Sequence, residues 1–136
     1  MHTTNYFDTF IAVAEDCPTD KAEVPDIKGD KKTVANLQFD MLIDNPYKYT
    51  SDEVLFKVHA LRSGIGTSEQ QAAREAFFSK GQACMRASPL TKRYGWGVHA
   101  DSKGRIAIYA IDSPEYKKLL ADKNLAHTKG MRSKRT

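Results

Sequence analysis

Residues 94–111, YGWGVHADSKGRIAIYAI, decide how the chain folds. Side chains alternate along a strand, so Tyr94, Trp96 and Val98 share one face, and Gly95, Gly97 and His99 share the other. Asp101-Ser102-Lys103-Gly104 reads as a hairpin turn, with Gly104 supplying a backbone conformation that other residues resist. Residues 105–111 form the return strand. Glycine weakens a strand interior, so Gly95 and Gly97 on one face mean that something approaches closely there. The candidates are a packed helix, for which the alanine-rich 69–78 segment is suited, or a ligand lying on the sheet. Trp96, on the opposite face, belongs to the core.

Immediately before the hairpin, residues 79–93 (SKGQACMRASPLTKR) bring together Lys80, Arg86, Ser88, Thr91, Lys92 and Arg93. Cations, hydroxyls and glycine-freed backbone amides are the chemistry of a phosphate or carboxylate site. The segment is not a P-loop, because GxxxxGK[ST] is missing. The alternative is a solvated basic loop with Arg86 paired to an acid of the front half.

Further toward the N-terminus the elements follow from local signals. Residues 6–14 (YFDTFIAVA) are apolar at both alternating positions, which predicts a central strand buried on both sides. Residues 19–32 are polar, contain Pro25 and Gly29, and read as a long loop. Thr33 is placed to cap a helix that runs to Asp44, with Val34, Leu37, Met41 and Leu42 inward and Asn45-Pro46 as its stop. Thr50-Ser51-Asp52-Glu53 is a capping box ahead of 52–62, where Val54, Leu55, Val58 and Leu61 align at helical spacing and Gly64 closes the end. Val54, Phe56 and Val58 also alternate as in a strand; helix is the reading adopted. A second capping box, Ser68 to Gln71, opens a helix through Phe78, with Ala72, Ala73, Ala76 and Phe77 inward and Gly81 as the stop. After the hairpin, Ser113-Pro114 starts a last helix with Tyr116, Leu119 and Leu120 inward.

Length and composition frame these elements. A chain of 136 residues is about one domain and buries roughly two-thirds of its unfolded surface. No run approaches the roughly 18 apolar residues of a membrane helix, and the opening has no basic and apolar leader, so a cytoplasmic location is expected. Cys17 and Cys84 stand at no zinc-site spacing, and in that compartment a disulfide is not expected. His2, His59, His99 and His127 are scattered, so neither a metal nor a cofactor is expected. No GxSxG elbow supports covalent catalysis through Ser88 or Cys84.

The net charge of +4 has a location. Residues 125–136 carry Lys129, Arg132, Lys134 and Arg135 and no acid, whereas residues 1–54 hold 5 basic and 11 acidic residues. The expectation is a globular domain over 1–124 and a basic C-terminal tail over 125–136, too polar from Ala126 onward to pack well. A tail that docks back onto the acidic front is the alternative, and the asymmetry also suits an anionic partner or a homodimer.

Four stretches carry a resemblance: residues 79–101, residues 106–119 (IAIYAIDSPEYKKL), the opening TNYFDTFIAVAEDCP and the middle YTSDEVLFKVHALR. With these, and with the terminal MRSKRT, the chain resembles an uncharacterised family of small, mainly bacterial proteins of about this length. The resemblance implies one complete domain and no particular activity, substrate or cofactor.

The fold expected is therefore α+β: a single domain in which a small, mostly antiparallel sheet, made of strand 7–14 and hairpin 94–111, carries three or four packed helices. The function expected is a non-catalytic binding module for an anionic ligand. Arg86, Lys92 and Arg93 would supply charge, Ser88 and Thr91 hydrogen bonds, and His99 the rim. Three other classes compete with it. One is an enzyme for a small phosphorylated or carboxylated substrate with His99 as general base, which needs His99 and the arginines in one pocket. The others are a homo-oligomeric interaction protein and a weak nucleic-acid binder that uses the basic tail and aromatic stacking. No membrane contact is expected.

Overall fold

A four-stranded sheet organises the chain. The computed structural model describes residues 2–27, 29 and 32–133, so Lys134, Arg135 and Thr136 of the expected tail and positions 28, 30 and 31 of the long loop lie outside the described residues. The predicted hairpin forms: β2 (Trp96–Ala100) pairs antiparallel with β3 (Ile106–Ala110), and Val98 faces Ile108 across the ladder. Gly104 takes φ 79° in the turn. β1 (Thr9–Ala12) lies antiparallel to β2, with Phe10 opposite His99, and is buried along its whole length. It is an interior strand of the order β3-β2-β1-β4, as its two-sided apolar pattern requires.

The fourth strand corrects the sequence-based expectation. Ala126–Lys129, read above as part of an unpacked tail, is β4, parallel to β1 with Thr9 opposite Ala126. Its side chains are mostly exposed, so no apolar pattern marks it; backbone pairing with β1 makes it a strand. The following residues also dock. The Gly130 amide donates to the Ala12 carbonyl, Met131 to the Arg86 carbonyl and Ser133 to Asp16 Oδ2, while Lys129 Nζ sits 2.8 Å from Glu15 Oε1. The basic end thus returns to the acidic front, the alternative noted above. The Lys129–Glu15 pair itself is more than half exposed, so solvent screens it and it adds little to stability.

Helices cover both faces of the sheet. α1 (Val34–Ile43) starts in a complete capping box between Thr33 and Asn36, and α2 (Ser51–Ser63) in another between Thr50 and Glu53. Residues 52–62 are therefore helix, closed by Gly64 at φ 66°. One sheet face packs Ile11, Trp96, Val98, Ile106 and Ile108 against Phe39 and Leu42 of α1, Val54 of α2, and Leu90. The other packs Phe10 and Ala12 against Tyr116 of α5 (Pro114–Ala121), capped by Ser113 as predicted.

The inward stripes differ from those expected. On α1 the buried residues are Ala35, Asn36, Gln38, Phe39 and Leu42, because Asn36 Nδ2 donates to the Pro25 carbonyl and Gln38 Oε1 accepts from Ser88 Oγ. α2 is buried on two sides, with Phe56 and Ala60 on a separate cluster around Phe78, so Leu61 is left 57% exposed. Ser68 caps nothing: a 3₁₀ turn (Thr67–Glu69) leads into α3 (Gln70–Phe78) with no side-chain cap, and Ala72 and Ala76 face solvent. Phe78 is the buried residue of α3, and Leu120 of α5 is exposed rather than inward. A single turn, α4 (Pro89–Lys92), joins α3 to β2 through a 3₁₀ turn at Met85–Ala87.

The close approach foretold at the glycine face is real, but its partner is α5 rather than α3. A Cβ on Gly97 would stand 2.7 Å from Tyr116 Cε2 and 2.8 Å from Phe10 Cζ, so at Gly97 this face is filled by two packed rings. Gly95 abuts the backbone of Lys21 and Ala22. Gly97→Ala therefore forces two packed rings apart and is expected to destabilise the protein by about 1–3 kcal/mol in urea unfolding. An unchanged midpoint would refute the contact. Removing residues 126–136 exposes one edge of the central strand, and loss of cooperative thermal unfolding is the expected result.

Candidate functional site

The six residues singled out above do not share one place. Ser88 and Thr91 are buried and hold the chain together. Ser88 Oγ caps α4 by accepting from the Leu90 amide at 3.1 Å, and its proton goes to Gln38 Oε1. The Thr91 hydroxyl reaches the Met85 and Ser88 carbonyls at 3.1 and 3.0 Å, while the Thr91 carbonyl accepts from Ala14. Neither hydroxyl is left for a ligand. Arg86 turns toward the C-terminal segment, where its Nε donates to the Lys129 carbonyl at 2.6 Å. His99 lies on the α5 side of the sheet, away from these groups, beside Tyr47 and Tyr109.

Lys92 and Arg93 do converge, and with a residue that sequence reasoning missed. They line a cleft of about 460 Å³ together with Arg62 from the last turn of α2, Tyr94, and Thr33, Val34 and Ala35 at the start of α1. In the sequence, Arg62 looks only like a cation suited to a helix C-terminus. The first turn of α1 carries no acidic residue, so its positive end is not neutralised by its own side chains. The capping box occupies Thr33 and Asn36, leaving the Val34 and Ala35 amides as the first-turn donors. Among the described residues the ion pairs are Lys32–Asp40 and Lys129–Glu15, so Arg62, Lys92 and Arg93 have no carboxylate within 4.0 Å. Among the described residues, Asp26 is the one acid that lines the cleft.

A second cluster surrounds His99. Tyr47, at φ 59°, is one of two non-glycine residues with positive φ among the described residues, and such strain gathers at functional or tightly constrained positions. Its amide donates to the Ile106 carbonyl, and its hydroxyl lies 2.7 Å from both His99 Nδ1 and Tyr109 Oη. One hydroxyl has one proton, so the three groups form a directed chain: Tyr109 to Tyr47 to a neutral His99, or the reverse. Burial pulls the His99 pKa below its ordinary 6.5, against the opposing pull of Asp101, Asp122 and Asp8. Burial, and then the bond with Tyr109, drives Tyr47 well above the ordinary phenol range. Burial thus favours the neutral forms of both His99 and Tyr47. Neither tyrosine is marked in the sequence, because both reach His99 only through the fold.

Among the described residues no three His, Cys, Asp or Glu side chains come together as metal ligands. Cys17 and Cys84 are both unpaired, with Cys84 Sγ 3.4 Å from Tyr6 Oη. Trp96 is in the core, its ring edge-on to Phe39 and its Nε1 donating to the Glu23 carbonyl, so it offers no stacking surface. Among the described residues no helix is long and apolar enough to cross a membrane.

The sign of the His99 effect follows from the shift. Below pH 6.5 the unfolded chain takes up a proton that the folded chain refuses, so stability falls as pH drops through that value. His99→Gln removes this contribution. The unfolding midpoint of the variant is expected to fall less between pH 7 and pH 5 than that of the unaltered protein; parallel curves would show that His99 is not held neutral.

No curated protein and no solved structure matches the chain. One family model does, across residues 1–136, with every element described above inside the match. The chain belongs to that family, DUF6157, a family of unknown function.

Proposed function

We propose that the protein is a non-catalytic binding module for an anionic ligand, seated in the cleft between the start of α1, the end of α2 and residues 92–94. The observation that carries this reading is the convergence of Arg62, Lys92 and Arg93 in one cleft without a carboxylate partner among the described residues. Three neighbouring cations repel one another, and an anion relieves that repulsion. Arginine offers a planar fork to phosphate or carboxylate, and the first-turn amides of α1 add donors with the same preference. Lys92 and Arg93 belong to the site expected from the sequence. Arg86, Ser88 and Thr91 serve it indirectly, by fixing the turn from which Lys92 and Arg93 project.

A second reading rests on the strained Tyr47 and the neutral His99: a general base on the α5 side of the sheet. His99 lines neither this cleft nor the groove beside it, so the one-pocket arrangement required for an enzyme using both His99 and the arginines has no support here. Binding is the better-supported function.

The test is a thermal-shift and calorimetric series with inorganic phosphate, pyrophosphate and dicarboxylates at low salt. A ligand at about 100 times its Kd adds roughly 2.7 kcal/mol, which should raise the midpoint by several degrees. Arg62→Ala or Arg93→Ala removes a charge-assisted contact worth about 1.5–3 kcal/mol and should weaken binding by ten-fold or more. Binding that survives both substitutions, or no shift with any anion, overturns the proposal.

A further inference from the structure

The cationic cleft does not end at Arg62. Val34 and Arg62 also line an adjoining groove of about 430 Å³, which runs between α1, α2 and the end of α3. Both volumes lie within the range of small-molecule sites. The groove's walls differ in character from the cleft: Leu55, Val58 and Phe77 are apolar, whereas Gln38, His59 and Gln82 carry hydrogen-bonding groups. The His59 and Phe77 rings stack at 4.7 Å and 29°. A site with a cationic end and a half-polar, half-aromatic end asks for a ligand with two unlike parts.

Gln38 narrows the chemistry further. It is 2% exposed and lines the groove. Ser88 Oγ accepts from the Leu90 amide, so its proton is available for Gln38 Oε1, which fixes the amide's orientation. Gln38 Nε2 bonds to no described residue and keeps some contact with solvent, so its N–H groups are free to donate into the groove. Gln82 shows the converse: its Nε2 donates to the Phe77 carbonyl, and its Oε1 accepts from no described residue. The groove therefore offers the Gln38 donor and the Gln82 acceptor beside an aromatic wall. An acyl chain would leave both unanswered, and a bare phosphate would leave the groove empty. A flat heteroaromatic ring with donors and acceptors on its edge answers both, and stacks.

Resting on the anion-binding reading above, we propose that the ligand is a nucleoside 5′-phosphate, its phosphate held by Arg62, Lys92 and Arg93 and its base in the groove beside Phe77 and His59, with its edge toward Gln38 and Gln82. The same chemistry is presented by a free nucleotide and by the phosphorylated 5′ end of a strand. Both sources are tested.

Calorimetry compares the four common ribonucleoside 5′-monophosphates, a 5′-phosphorylated dinucleotide, the unphosphorylated nucleosides, inorganic phosphate and octanoate on the full chain. At least one phosphorylated nucleoside is expected to bind ten-fold or more tightly than inorganic phosphate, and the tighter of mononucleotide and dinucleotide names the source. His59→Ala and Gln82→Leu, both at partly exposed positions, should remove that advantage without changing phosphate affinity. Arg93→Ala should weaken both. Phosphate binding with no added affinity for any nucleotide would overturn this inference and leave the anion-binding reading standing. Octanoate outranking the nucleotides would overturn it as well. Silence toward every anion would remove both, and circular dichroism of each variant separates lost binding from lost folding.

Discussion

One buried hydroxyl ties the two halves of the molecule together. Ser88 accepts from the Leu90 amide and donates to Gln38, so the turn before the hairpin is locked to the middle of α1. Three residues on, Thr91 collects the carbonyls of that same turn, receives the Ala14 amide, and lies under Gly130, where a Cβ would come within 3.1 Å of it. Helix, central strand and C-terminal strand thus meet at a few hydrogen bonds with no access to water. Buried polar groups of this kind specify one arrangement, since any other leaves a donor or acceptor unpaired. The cleft inherits its geometry from this knot: Lys92 and Arg93 follow Thr91 directly, and the start of α1 lies across from them.

What the sequence reveals about the fold divides along the range of the interaction. Caps are local, and those at Thr33, Thr50 and Ser113 all form as the residue spacing predicts. So does the hairpin, whose turn chemistry lies within four residues. The inward stripes of α1 and α2 fail for a different reason. Burial on α1 is decided by Pro25 and Ser88, and on α2 by a second cluster around Phe78, none of which is visible from helical periodicity. β4 is the extreme case: a polar, mostly exposed segment whose only structural instruction is the free edge of β1.

The candidate site follows the same division. Lys92 and Arg93 were legible because basic and hydroxyl residues cluster in their segment. Composition draws Ser88 and Thr91 into the same picture, although their hydroxyls are committed to Leu90, Gln38 and the carbonyls of the turn. Arg62 was invisible because it joins them only through the packing of α2 beside α1. His99 was legible as an unusual residue on a glycine face, but not its setting. That setting depends on Tyr47, held at a positive φ where a tyrosine is uncommon, and on Tyr109 from the neighbouring strand.

The pairing of β1 with β4 also governs the order in which the protein can be built. Thr9 leaves a ribosome long before Ala126, yet they are partners across one ladder. Contacts of such wide sequence separation form slowly, because the intervening chain must be ordered or closed first. During synthesis, at about 5–20 residues per second, β1 waits for the hairpin and then, with one edge still open, for residues 126–129. Throughout that interval Phe10 and Ile11 belong to an apolar strand without its full complement of neighbours. The polarity of β4 suits this timing: a late segment of Lys, His and Thr stays hydrated until the edge it completes is ready, and adds no second sticky strand to the nascent chain.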